Sequence, residues 1–143
     1  MATTEITSTI NRVSALNGIA VSSNTTTVGN IIDTADFDGG INFTIIASIW
    51  TTDRSFLPLI EESEDSGMSG ANAVADTNLV PQDFSSSDAP ELQATLDANN
   101  AVTKIGVVGS KRYLRLSLVS TGSTGGATVN AIAERKAELQ PTV

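Results

Sequence analysis

Along the chain the clearest signal is an alternation of period two. From Ile41 to Trp50, residues Ile41, Phe43, Ile45, Ala47 and Ile49 fall on one face, and Asn42, Thr44 and Ser48 on the other, as in a strand with one buried side. Ile46 and Trp50 interrupt the polar face, so part of that face is expected to be covered, and a subunit contact is one way to cover it. The segment from Arg112 to Ser120 reads the same way. Leu114, Leu116 and Leu118 lie on one side, and Tyr113, Arg115, Ser117 and Val119 on the other. Shorter runs predict strands at Ile19 to Val21, Val28 to Thr34, Phe56 to Ile60, Val102 to Val108 and Ala127 to about Arg135. Ile41, Phe43, Ile45, Ile49, Leu114, Leu116 and Leu118 are the expected core, buried between two sheets.

Turn chemistry suggests how these strands connect. Asp53-Arg54 reads as the turn of a hairpin between the strong strand and Phe56 to Ile60, where Pro58 favours a sheet edge or a bulge. Gly109-Ser110 is an acceptable type II′ signal for a second hairpin, and Thr121 to Gly126 reads as a glycine-rich loop. From Glu61 to about Asn100 the alternation dissolves, with Pro81 and Pro90 as breakers. Ala71 to Ala75 and Pro90 to Ala98 could each hold a helical turn or two, the second capped near Ser87 or Asp88. A structureless loop of that length is improbable inside a compact domain, so it should lie over the sandwich or reach a neighbour.

These elements predict an all-β protein: an antiparallel β-sandwich or jelly-roll-like domain with a long internal loop region at about 61–100. The expected layout is an N-terminal arm at 1–18, one domain at 19–136 and a C-terminal tail at 137–143. The length of 143 residues suits a single core.

Composition then narrows the chemistry. The chain has no cysteine and no histidine, which removes disulfides, thiolate and imidazole metal ligands, cysteine nucleophiles and the commonest general base near neutral pH. None of the lysines has a serine three residues before it, and no Gly-Lys-Ser/Thr follows the glycine-rich loop, so neither a Ser-x-x-Lys nucleophile nor a P-loop is present. A two-carboxylate glycosidase is disfavoured by the single Trp and single Tyr available to stack sugars. The chain is therefore expected not to be an enzyme and to use no cofactor. Glu61-Glu62-Ser63-Glu64-Asp65 and Asp36-Phe37-Asp38-Gly39 offer oxygen atoms to a hard cation. An EF-hand aligned on Gly39 fails, because Thr34 would take the first ligand position and Ile45 that of the bidentate glutamate. Solvated acidic loops are the favoured reading.

A net charge of −8 works against binding nucleic acid. The N-terminus lacks a basic region followed by an apolar stretch, and no apolar run approaches the roughly 18 residues of a membrane span. Synthesis in the cytosol and no membrane partner are expected. Charge is also segregated. Asp33 to Asp97 holds thirteen acids against Arg54 alone, whereas Lys104 to Lys136 holds six bases against Glu134. Such segments can pair within one subunit or between neighbours. The candidate partner interface comprises Trp50, the acids Glu61, Glu62, Glu64 and Asp65, and the bases Lys111, Arg112 and Arg115.

Several segments together resemble small structural proteins encoded among the head genes of tailed bacteriophages. They are Gly29-Asn-Ile-Ile-Asp-Thr34, Pro58-Leu-Ile-Glu-Glu-Ser-Glu-Asp-Ser-Gly-Met-Ser-Gly70 with Ala71-Asn-Ala-Val-Ala-Asp76, and Lys104-Ile-Gly106 with Lys111-Arg-Tyr-Leu-Arg-Leu116. The similarity runs from about Gly29 to Val129, and the charged Glu134-Arg-Lys-Ala-Glu-Leu-Gln140 departs from it. The resemblance implies a non-enzymatic virion component that decorates or cements the capsid lattice, with a place at the head–tail region or in the tail as the alternative. Its implied partners are the major capsid protein and copies of itself. Its implied location is the capsid surface, after synthesis in the host cytoplasm. A carbohydrate-binding β module is a further alternative that the residues alone leave open.

Overall fold

The computed structural model describes residues 10–35, 40–49, 54–97, 101–109, 111–122 and 126–136. Among the described residues nine strands form two antiparallel sheets: β1 (Ile10–Val21), β2 (Thr26–Asp33), β3 (Ile41–Ile49), β4 (Ser55–Ser63), β5 (Asn72–Ala73), β6 (Leu79–Val80), β7 (Ala101–Val107), β8 (Tyr113–Thr121) and β9 (Ala127–Lys136). One sheet has the order β1-β9-β3-β7-β6 and the other β2-β8-β4-β5. The all-β sandwich expected from the sequence is the fold observed.

The core forms where the alternating patterns meet. Ile41, Phe43, Ile45 and Ala47 of β3 turn inward beside Ile105 and Val107 of β7 and Val129, Ala131 and Ala133 of β9. From the second sheet come Leu114, Leu116 and Leu118 of β8 with Phe56 and Ile60 of β4. Full burial of a side chain such as Phe43 contributes about 1.5–3 kcal/mol. Every expected core residue whose side chain is described is buried; the Ile49 side chain lies outside the described residues.

The connections differ from those expected. β3 and β4 belong to different sheets, and so do β7 and β8, so neither expected hairpin exists. Gly109 does adopt a positive φ of 65°, but the chain crosses the sandwich there instead of doubling back. Alternation fixes which face of a strand is buried; it carries no information about which strand lies beside it. Arg54 is not a turn residue: it is 1% exposed, its Nη1 donating to the Ser23 carbonyl and to Ser120 Oγ. It thereby ties the β1–β2 connection to β8 at one end of the sandwich.

β1 begins well before Ile19. Its register with β9 shifts between Ser14 and Leu16 and again between Leu16 and Ile19. Gly18, with φ of 56°, sits in the second irregularity and donates its N–H to Asn130 Oδ1. Each shift resets the alternation, which is why no period of two is visible there.

The stretch after β4 is ordered. Ala71 to Ala75 holds β5, not a helical turn, and one turn of helix, α1 (Pro90–Gln93), follows Ala89 with no side-chain cap from Ser87 or Asp88. Val74, Leu79, Ala94 and Leu96 are buried and join the core, so this excursion lies over the sandwich.

Candidate functional site

A β-sandwich leaves four sheet edges, each a row of unpaired backbone groups able to recruit another chain. In this chain each flank is protected. On one flank β1 and β2 approach each other across the sandwich: Asn30 Nδ2 donates to the Ser14 carbonyl at 3.0 Å. A Cβ on Gly29 would stand 2.6 Å from the Ala15 carbonyl oxygen and 2.2 Å from that of Leu116, so only glycine permits this closure. On the other flank the excursion covers β4 and β7. β5 pairs with Glu61 and Glu62, Leu96 exchanges two backbone hydrogen bonds with Phe56, and Val74 N–H donates to the Ile60 carbonyl. β6 pairs with Val107 and Gly106, and Gln82 Nε2 reaches Thr103 Oγ1. Pro58 occupies the part of β4 that β5 does not reach, an edge position as its missing N–H requires.

The charged residues singled out from the sequence are used mainly within the chain. Arg115 Nη2 meets Glu61 Oε2 at 2.9 Å, and Ser117 Oγ donates to the same oxygen. Glu62 Oε2 accepts the backbone N–H of Lys111. Arg112 makes a two-point contact with Asp33 and stacks on the Tyr113 ring. That contact and the Ala35 N–H hold the Asp33 carboxyl below its ordinary pKa. Asp65 Oδ1 accepts the N–H groups of Gly67 and Ser69, bracing a tight turn in which Met68 has a φ of 61°. Glu64 is exposed, and Trp50 lies outside the described residues. The acidic and basic segments therefore meet inside one subunit, because β8 runs between β2, which ends in Asp33, and β4, which carries Glu61.

Both sheets also present an outer face: the four-stranded sheet exposes Val28 (53%) and Ile31 (42%) on β2, and the five-stranded sheet presents the broader one. Across it the register aligns Arg12, Glu134, Asn42, Gly106 and Val80 in one row. A second row runs Ser14, Ile132, Thr44 and Lys104, and a third Asn130, Ile46 and Val102. Ile46 is 45% exposed, Val102 64% and Ile132 37%; neighbouring strands bring them together as an apolar patch. Glu134 is the sole carboxylate in the strands of this sheet. It is locked by Arg12 Nε at 2.7 Å and approached by Asn42 and Thr44, and the Arg12 bond leads in lowering its pKa. At one end of the face, where Gly40 and Gly106 provide no side chains, a shallow groove of about 390 Å³ opens between Ile10, Val80 and Val108.

Of the three apolar residues of this patch, the alternation pointed only to Ile46. Val102 and Ile132 were legible in principle, since each stands out of phase with the inward residues of its own strand. Among the described residues no helix is long and apolar enough to cross a membrane, and no group of three carboxylates is placed to hold a metal ion.

Neither a family model nor a curated protein matches this chain. A solved structure, that of the SPBc2 prophage-derived protein YomS, superposes on 87% of this chain and 92% of its own with a TM-score of 0.49 and 11% identity. A likeness this slight carries no inference about function.

Proposed function

We propose that this chain is a non-catalytic virion structural protein, a decoration or cement protein that binds the outer capsid lattice and bridges neighbouring subunits of the major capsid protein. The observation that carries this reading is the apolar patch on the outer face of the five-stranded sheet, between flanks covered by β1–β2 proximity and by the excursion. A module protected against strand addition on both flanks, yet displaying Ile46, Val102 and Ile132 together on a sheet almost free of carboxylates, is suited to lie flat on another surface. The resemblance of its ordered segments to phage head proteins supports the same reading. Binding at many symmetry-related positions would give a strong total effect from a modest individual contact.

Labelled protein on purified particles tests this. Hundreds of copies spread over the shell are expected. A ring of about six or twelve at a single vertex would assign the chain to the head–tail region or tail instead. Binding to soluble glycans with no affinity for particles would make it a carbohydrate-binding module.

A further inference from the structure

The excursion displays one large aromatic side chain in water. Phe84 is 81% exposed, and the backbone on either side of it is held firmly. Asp83 Oδ1 accepts the N–H and the Oγ–H of Ser85, Asp83 N–H donates to Gln93 Oε1, and Gln82 Nε2 donates to the Gln93 carbonyl. Gln93 Nε2 in turn donates to the Asp88 carbonyl. A braced backbone presenting an exposed aromatic has already lost the entropy that binding would otherwise remove, which is the form of an interface anchor.

The same chain carries a receptacle of matching kind. The groove of about 390 Å³ on the five-stranded sheet has walls from Ile10, Val80 and Val108. Its open space depends on two glycines: a Cβ on Gly106 would lie 2.9 Å from Val80 Cβ, and one on Gly40 would lie 2.6 Å from the Val107 carbonyl oxygen. Sites that enclose small ligands span about 300–1,000 Å³, so an aromatic ring fits. The charges also match. In the chain Phe84 follows Asp83 and precedes Asp88 and Glu91, whereas the groove's face carries Arg135 and Lys104 in addition to the Arg12–Glu134 pair. The one acid at the groove, Glu134, is engaged by Arg12.

We propose that copies of this chain associate head to tail, the Phe84 side chain of one copy entering the groove between Val80 and Val108 of the next. In this head-to-tail arrangement the contact is heterologous, joining different surfaces of two copies, and each copy keeps one anchor and one groove free for further neighbours; a reciprocal pair that closes on itself is the alternative that growth beyond a dimer excludes. The contact lies at one end of the sheet, two rows of the register away from Ile46 and Val102. The inference does not depend on the capsid reading, because it concerns the protein alone in solution.

Sedimentation velocity of the full chain at low salt tests it, with Phe84→Ala removing the anchor and Val108→Glu blocking the groove. The parent is expected to grow in size with concentration beyond a dimer, and to dissociate as salt rises. Each variant alone should stay monomeric over the same range, a loss of association of about tenfold or more. An equimolar mixture of the two should form a heterodimer and nothing larger, since one copy supplies the intact anchor and the other the intact groove. Circular dichroism and unfolding midpoints check that both variants are folded, and Ile10→Glu replaces Val108→Glu if that chain is not. A parent that remains monomeric throughout, a Phe84→Ala chain that assembles like the parent, or a folded mixture that stays monomeric would each overturn the proposal.

Discussion

The two flanks of the sandwich meet one physical demand in different ways. At the β1–β2 flank a few residues suffice: a bulge at Gly29 lets two strands approach, and the Asn30 amide satisfies the Ser14 carbonyl. At the β4–β7 flank the chain spends a long excursion, anchored by Val74, Leu79 and Leu96 and paired through β5 and β6. The first solution is backbone proximity, and it tolerates no side chain. The second is added burial, and it fails only if its anchors are removed. The excursion also carries Phe84 outward, 81% exposed.

The largest expected effect separates these solutions. Leu96→Ala removes a fully buried anchor and should lower stability by about 2–5 kcal/mol. It should also speed amide exchange at Phe56, whose N–H donates to the Leu96 carbonyl. Gly29→Ala should destabilise by at least about 1–3 kcal/mol, because the new Cβ meets two backbone carbonyls that cannot swing aside. Urea unfolding measures both. If Gly29→Ala is neutral, the β1–β2 closure is looser than described, and the contrast between the flanks disappears.

A smaller effect is expected at the charged pairs. Glu61→Gln breaks a partly buried contact with Arg115 and Ser117 and should cost about 1 kcal/mol. Glu64→Gln, on an exposed side chain, should stay within about 0.5 kcal/mol of the parent. Equal effects would mean that the pairing inside the chain does not order β4 against β8.

The smallest expected effect is a dependence on pH. Asp33 and Glu134 both have lowered pKa values, caused first by their bonds to Arg112 and Arg12. A carboxyl whose folded pKa lies below its unfolded value stabilises the fold above the unfolded pKa, and that contribution is lost as pH falls through the folded one. Glu91 has the opposite sign, its pKa raised first by burial, so its protonation on acidification favours the folded chain slightly. The unfolding midpoint should therefore decline from about pH 5 downward, and less steeply in an Arg12→Gln variant. An unchanged slope in that variant would remove Glu134 from the account.

The buried faces of β3 and β8 were legible because apolar residues recur at every second position along each strand. β1 was not, because two register shifts break its period, and its pairing with β9 is made far along the chain. Sheet membership was misread at Gly109 for a related reason: a glycine with positive φ marks a change of direction, and crossing the sandwich demands one as much as doubling back does. The segregated charges at Glu61 and Arg115 pointed to a real pairing, although composition alone left open whether it lay within or between subunits. The apolar patch stayed hidden because Ile46, Val102 and Ile132 are isolated in sequence and become neighbours only through the order β9-β3-β7.

The proposed function places the outer face of the five-stranded sheet, and not an edge, against the capsid. Saturation binding of Ile46→Glu and Val102→Glu to purified particles tests this, with Glu64→Gln, on the exposed turn after β4, as a control. The account predicts that either glutamate abolishes decoration while leaving the isolated domain folded, and that the control binds like the parent. Full decoration by both glutamate variants would contradict it.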